Sequence, residues 1–387
     1  MSKYPTVKLG DIFTLQMGKT PARNNADYWK NGTNNWVSIS DIGKDSKFIY
    51  TTKESISDKA VIESGIKIVP QNTIIMSFKL SIGKTAITTS PIYTNEAIMA
   101  FIPKNEISCD LLFLYHLFTN KDWTEGLNKS VKGTTLNKAS LSLTRIPFPS
   151  ITEQKRISTN LDRIFTLIGK RKQQLSKLDE LAKSRFLEMF GDPILNPMGW
   201  AISHYGDEFE IMSGGTPKTD IPEYWVNGKI SWIGSNLCQN SVLIENDGKF
   251  ITEKGLNNSS AKIFNKGYIL IALVGATIGK VAHLKFSTST NQNIAGINVP
   301  QNENYIPEFV FYNTQFLYPK FMDIGNSKFK MANLSFIRSL QIPIVPIKAQ
   351  KKFSNFVEQL DKSKFRIKKS LEKLEMTYKA LLQEYFG

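Results

Sequence analysis

Two cysteines and three histidines in 387 residues leave little material for metal-centred or histidine-based chemistry. Cys109 and Cys238 stand far from any Cys-x-x-Cys spacing, which argues against a disulfide framework or a zinc site and fits a reducing cytoplasm. His116, His204 and His283 show no metal-ligand spacing and none recurs in the internal repeat described below, so neither a metal site nor a histidine-based hydrolase or nuclease is expected. Long apolar runs are scarce as well. The longest, YILIALVGATIG at 268–279, is too short to cross a bilayer, and its counterpart in the first half carries Lys79, so a buried strand is expected. The opening MSKYPTVKLGDIF lacks the apolar stretch and cleavage site of a secretory leader. There is no Gly-rich dinucleotide fingerprint and no Asn-Pro-Pro or Asp-Pro-Pro tetrapeptide of the amino-methyltransferases. IGKT at 82–85 and IGKV at 278–281 look like the tail of a phosphate-binding loop, but the glycine required five places earlier is Phe78 in one and Val274 in the other. A glycine turn feeding a strand, with its lysine exposed, accounts for both.

What the chain does have is positive charge. Its 49 Lys and Arg against 34 Asp and Glu leave +15, and both halves share the excess. A basic surface on a chain of ordinary globular composition points to a polyanion, with nucleic acid ahead of an anionic membrane.

It also has itself twice. TPARNNADYWKNGTNNWV, starting at Thr20, lies over TPKTDIPEYWVNGKISWI, starting at Thr216, so that Trp225 follows Trp29 by 196 places. The same offset pairs Gly10-Asp11 with Gly206-Asp207, Trp36 with Trp232, Asn95 with Asn291, Asn137 with Asn333, Ile146-Pro147 with Ile342-Pro343, Gln154-Lys155 with Gln350-Lys351 and Phe190-Gly191 with Phe386-Gly387. So long a period makes each copy a module of domain size rather than a solenoid unit.

Each module begins with short β-rich runs punctuated by Gly, Asn and Pro, with one helix near the end at CDLLFLYHLF or YIPEFVFYNTQFL. It then changes character. From Glu153 to Phe190 there is no proline and one glycine, and apolar residues recur at steps of four and three: Ile157, Leu161, Ile164, Ile168, Leu175, Leu178, Ala182 and Met189, with Arg171 and Arg185 in the seam. The second copy carries Phe353, Val357, Leu360, Lys364, Ile367, Leu371, Leu374, Tyr378, Leu381 and Tyr385. Two non-identical seams predict that the long helices pair with each other within one chain. A helix packed only on its own globular domain is the plainer alternative. The fold predicted is α+β: two pseudo-symmetric globular domains, at 1–150 and 192–345, separated by two long antiparallel helices, at 151–191 and 346–387, that form an intramolecular coiled coil.

The residues suited to recognition sit in Gly-punctuated loops of both modules. We assign DNA contact to Lys19, Thr20, Lys84, Asn95, Gly133, Thr134 and Thr135 in the first, and to Gly215, Thr216, Lys218, Lys280, Asn291, Gln292, Lys328 and Lys330 in the second. Asn and Gln can bond adenine bidentately, Lys reads guanine or phosphate, and Thr serves the backbone or a thymine methyl. Against this, Asn, Gly and Thr in loops commonly serve turn geometry. No catalytic residue is assigned.

Taken in order and twice over, the TP…YW…W runs, IGK, RIPFPSITEQKRI with its twin QIPIVPIKAQKKF, and FLEMFGDPILNPMGW make the whole chain resemble the specificity subunit of type I restriction-modification systems. The copies depart from each other at Ala349, where the first has Glu153, and at Phe329-Lys330-Met331 in place of Gly133-Thr134-Thr135. The resemblance implies a non-catalytic cytoplasmic subunit whose two target-recognition domains each read one half of an asymmetric bipartite site in double-stranded DNA. It further implies that the helices dock two modification subunits and that restriction subunits join them. S-adenosylmethionine, ATP and Mg would belong to those partners, and none to this chain. We place docking on Gln154, Ile157, Leu161, Ile164, Gln350, Phe353, Val357 and Leu360. A DNA-modifying enzyme of unfamiliar type and a coiled-coil adaptor without DNA binding remain the other readings.

Overall fold

A computed structural model of the chain describes residues 3–43, 46–104, 107–123, 136–300, 304–324 and 331–387. Gly133, Thr134, Thr135, Lys328 and Lys330 lie outside the described residues. The chain divides into two compact units, one comprising Met1–Gln173 with Ile367–Gly387 and the other Gln174–Arg366.

In the first unit a five-stranded sheet runs, in spatial order, Phe13–Met17, Ile98–Pro103, Ile74–Ser77, Thr85–Thr88 and Phe48–Ile49, with only the last pair parallel. The central strands are buried and largely apolar, with Ser77, Thr85 and Thr88 as their polar members, because both faces are covered. Ile74, Met76, Ile87, Met99 and Phe101 face the helix Leu111–Asn120, through Phe113, Leu114 and Phe118. Their neighbours Ile75, Ala86, Ile98 and Ala100 face a separate core with Val37, Val69 and Ile92. A smaller sheet, Glu54–Ile56, Asn34–Val37 and Tyr93–Thr94, and a two-stranded ribbon joining Thr6–Lys8 to Arg145–Pro147 complete the unit.

The second unit repeats this plan. Its five strands are Glu210–Ser213, Ile294–Asn298, Ile269–Ala272, Val281–Leu284 and Ser241–Leu243, covered by the helix Pro307–Phe316. The offset of 196, however, is not uniform. Ser57 caps a helix by accepting from Ala60 N at 3.2 Å and donating to Asp27 O at 2.8 Å, and Thr252 does the same with Gly255 N at 3.0 Å and Glu223 O at 2.8 Å. Those caps are 195 apart, and the turn at Gly83 and Gly279, both with positive φ, restores 196. One deletion and one insertion cancel, which end-point landmarks cannot register.

Two 40-residue helices, Ile151–Phe190 and Ile347–Phe386, follow the globular parts. Each begins on its own module, locked by a buried glutamine. Gln154 accepts from Asp110 N at 3.0 Å and donates to Pro149 O at 2.8 Å, and Gln350 accepts from Ile306 N at 3.0 Å and donates to Asn304 O and Val345 O, each at 2.8 Å. These contacts bear on the docking assignment. Gln154, Ile157, Leu161, Gln350, Phe353, Val357 and Leu360 are buried within the chain's own cores, and Ile164 is half-buried, because the helix starts need an apolar face to seat on their own domains. The seven buried side chains offer little surface to a partner.

Each helix then ends in the other unit. Phe186 and Phe190 pack against Phe309 and Phe353, with ring centroids 5.0–5.5 Å apart. In the first unit Phe113 meets Phe386 at 5.5 Å, and the buried imidazole of His116 lies 2.8 Å from the Tyr378 hydroxyl. Within each unit the helix segments run antiparallel: Asn160 reaches Tyr385 and Lys172 reaches Glu375 in one, and Asp179 meets Lys364 at 2.7 Å in the other. That last pair neutralises the lysine in the apolar seam, which also lies 3.6 Å from Asp361.

Gln350→Ala should lower stability by about 1–3 kcal/mol by stranding buried backbone groups, and Phe186→Ala by about 3–5 kcal/mol through a cavity. Urea unfolding of each variant against the parent measures both. Stability should also fall in mild acid. Burial depresses His116 to about 4, Asp162 opposing and Lys47 assisting, and burial depresses His283 likewise to about 4, Lys285 assisting and Glu308 opposing. Below the ordinary value near 6.5 the unfolded chain therefore binds protons first, so stability drops between about pH 6.5 and 4, by up to about 1.4 kcal/mol per pH unit for each histidine. Urea midpoints at pH 7 and pH 5 should diverge, and in a H116Q/H283Q chain that divergence should shrink.

Candidate nucleic-acid interface

In the first unit, the segment after strand Phe13–Met17 is drawn onto the turn at Thr94–Ala97. Gly18 N donates to Ile98 O at 3.1 Å and Lys19 N to Thr94 O at 2.8 Å. Gly18 is required here: a Cβ would run into the backbone oxygens of Thr94 and Asn95. Two tryptophans hold the loop from beneath. The indole of Trp36 donates to Lys19 O at 3.1 Å and that of Trp29 to Ala22 O at 3.1 Å, and their rings meet edge to face at 5.1 Å. The second unit copies every one of these contacts. Gly214 N bonds Ile294 O, Gly215 N bonds Thr290 O at 2.8 Å, Trp232 donates to Gly215 O at 3.1 Å, Trp225 donates to Lys218 O at 3.0 Å, and the rings lie 5.2 Å apart.

The sequence-assigned residues fall into three groups. Asn95 and Asn291 serve local geometry: their side-chain oxygens accept from Ala97 N at 3.0 Å and Asn293 N at 3.2 Å. Lys84 closes the hairpin between strands Ile74–Ser77 and Thr85–Thr88 and is half-buried rather than exposed, while Gly215 is buried under Ser260 and Ala261. Other candidates are already engaged within the unit. Lys19 donates to Ser64 O and Lys280 to Gln239 Oε1 at 3.0 Å. The third group gathers on the shared loop: Thr20 donates to Glu96, Thr216 donates to Gln292 at 2.5 Å, and Lys218 is exposed beside them.

At this turn the copies differ in charge. Burial pushes the Glu96 carboxyl up, but the Thr20 hydroxyl, its own backbone, Lys79 and Arg23 outweigh that and hold it below the ordinary carboxylate value, so it is an anionic acceptor at neutral pH. Gln292, at the same place, is a neutral amide with both a donor and an acceptor.

Sequence reasoning missed Arg23 and Glu54. The guanidinium stands 3.8 Å from the centre of the Trp29 ring and 4.8 Å from that of Trp36, and bonds both Glu54 oxygens, at 2.5 and 3.1 Å. Their trace in the sequence is that neither recurs in the second copy.

Among the described residues nothing in this surface resembles a reaction centre. His116 and His283 are buried, burial lifts the Cys109 and Cys238 thiols to about 11 and about 12, with Asp110 adding to the former, and the described residues include no cluster of three or more potential metal ligands. Among the described residues no helix is long and apolar enough to cross a membrane.

Known proteins agree with this layout. The family model for the type I restriction modification DNA specificity domain matches twice, at residues 1–178 and 197–376. The type I restriction enzyme MjaIX specificity subunit of Methanocaldococcus jannaschii is 27% identical over 97% of this chain and 90% of its own length. The EcoR124I/EcoR124II specificity subunit of Escherichia coli is 27% identical over 46% of this chain and 45% of its own. Among solved structures, the type I restriction-modification S subunit from M. genitalium is alike in fold at 17% identity, with a TM-score of 0.59 over 100% of this chain and 96% of that one. A chain from the type I system solved to show complex assembly and conformational transition gives 0.57, also at 17% identity, over 100% and 99%. With the family model covering both modules, the chain belongs to the type I restriction-modification specificity subunits, the non-catalytic components of those enzymes.

Proposed function

We propose that each unit reads one half of an asymmetric, bipartite site in double-stranded DNA, and that the chain docks two modification subunits and, with them, restriction subunits. The observation that carries this reading is the pair of loops built on identical Trp and Gly supports but presenting different chemistry, Thr20 with Glu96 in one unit and Thr216 with Gln292 in the other. A carboxylate suits the N4 amino group of cytosine, and a glutamine suits the N6 and N7 edge of adenine. Lys19, Lys84, Lys218 and Lys280, with the +15 net charge, supply phosphate contacts. Gly133, Thr134, Thr135, Lys328 and Lys330 remain part of the proposed surface on the sequence argument alone.

Docking needs apolar surface that the chain does not use itself. On the long helices that surface is Leu167 and Met376 in the first unit and Leu181 and Leu187 in the second, all exposed. Exposed apolar side chains on the helices of both units, at positions that do not match in the repeat, support two modification subunits per chain.

Exchanging residues 1–150 for those of a relative, with positions facing Tyr378 and Tyr385 retained, should change one half of the methylated site and leave the other intact, as read by methylome sequencing. A change in both halves, or DNA affinity that does not fall with salt, would overturn the reading. Glu96→Gln should redirect only the half read by the first unit. Leu181→Glu with Met376→Glu should abolish co-purification of modification subunits without altering the unfolding free energy by more than about 1 kcal/mol, since both side chains are exposed.

A further inference from the structure

The Arg23–Glu54 pair that covers the tryptophans of the first unit has no equivalent in the second. Arg23 follows Ala22, whose carbonyl holds the Trp29 indole, and the residue following Lys218, which holds Trp225, is Thr219. Glu54 faces Trp36 across the strand pair, and in that place Trp232 N bonds the carbonyl of Lys249 at 3.0 Å. A short hydroxyl replaces the guanidinium, and an ammonium replaces the carboxylate.

The slot is therefore open in the second unit. A pocket of about 490 Å³ is lined by Thr216, Thr219, Trp225, Trp232, Lys249 and Phe250. The Phe250 ring is 40% exposed, and Trp232 is 8% exposed where Trp36 is 1%. Leaving aromatic surface bare beside a loop that faces outward is unfavourable unless something covers it. Arg23 shows what shape fits: a flat group laid on the first indole. The charges show what sign fits. The first unit neutralises its planar cation with Glu54, whereas the lining of the second has no acid and one lysine, which repels a cation and attracts an anion.

We propose that the Trp225–Trp232 pocket is a stacking site for an unpaired nucleobase of the bound DNA, with the phosphate of that nucleotide toward Lys249. A base offers a neutral π-face to the indoles and polar edges to Thr216 and Thr219, and its phosphate supplies the negative charge. Paired bases are already stacked within the duplex, so the occupant is one displaced from it. The inference rests on the DNA reading above and adds to it an asymmetry: only the second unit has this site open.

The test uses the full chain, with its modification subunits where solubility requires them, and the double variant T219R/K249E, which installs the pair that fills the slot in the first unit. Tryptophan fluorescence is titrated with thymidine 5′-monophosphate and with 2-deoxyribose 5-phosphate, and affinity is compared for a duplex carrying one unpaired thymine and the same duplex fully paired. Quenching is expected with the nucleotide and not with the sugar phosphate. The unpaired thymine should improve affinity about tenfold in the parent chain, and T219R/K249E should erase that preference. T219W, which fills the slot with an uncharged ring, should erase it too, so the result does not hang on one variant's folding. Equal affinity for the two duplexes in the parent, or a preference that survives in both variants, overturns the proposal, and quenching by the free nucleotide without any duplex preference overturns its assignment to DNA. Failure of the parent chain to bind either duplex would instead remove the DNA reading itself.

Discussion

The structure depends on the ends of its two long helices being buried in the half of the chain that did not encode them. Phe186 and Phe190 sit among Phe309, Tyr312 and Phe353, and Tyr378, Tyr385 and Phe386 among Phe113, His116 and Ile157. Neither half of the sequence therefore encodes a closed core. A chain ending at Gly191 would leave His116 without Tyr378 and the face of Phe113 without Phe386, and burial of aromatic rings is the largest single source of core energy available there. The duplication is complete in sequence but not in packing. The two copies fold as one protein because each completes the other.

That dependence marks where sequence reading succeeded and where it stopped. The heptad steps were legible because the seam residues, from Ile157 to Met189 and from Phe353 to Tyr385, are all buried or half-buried. Phe186 and Phe190 were not, because they leave the heptad to enter a globular core far away in sequence, and no local period announces a distant partner. Gln154 and Gln350 were visible as a repeated pair but open to two readings. Their type suits a surface, and only the geometry shows each as a buried clamp on backbone groups. The one-residue slip after Trp36 and Trp232 was hidden because its compensation lies before the glycine turns at 83 and 279.

The candidate interface divides in the same way. Positions identical in both copies, such as Trp29 and Trp225, Gly18 and Gly214, and Asn95 and Asn291, proved to be supports: they tether backbone, admit a close approach or shape a turn. Positions that differ, such as Glu96 and Gln292, Arg23 and Thr219, and Glu54 and Lys249, carry the chemistry that faces outward. Within a repeat that shares a fold, agreement marks what the fold needs and disagreement marks what is free to specialise. Weighting the repeated asparagines drew attention to supports, and a comparison of mismatches brings out Arg23, which repetition hides.

This separation has an energetic basis. The loop is held by backbone hydrogen bonds and two indole N–H groups, and none of those donors or acceptors belongs to a side chain that differs between the copies. Exchanging an exposed carboxylate for an amide, or an exposed ion pair for a threonine and a lysine, costs little stability, because surface pairs contribute about 0–1 kcal/mol. The supports are different: losing a buried indole and its hydrogen bond costs several times as much. Two copies in one chain can thus drift apart in what they present while both remain folded, whereas two copies of a shorter chain assembled as a homodimer would present the same groups twice. An intrachain repeat joined by helices that each complete the other's core keeps both units in one molecule and leaves their outward chemistry unconstrained by symmetry.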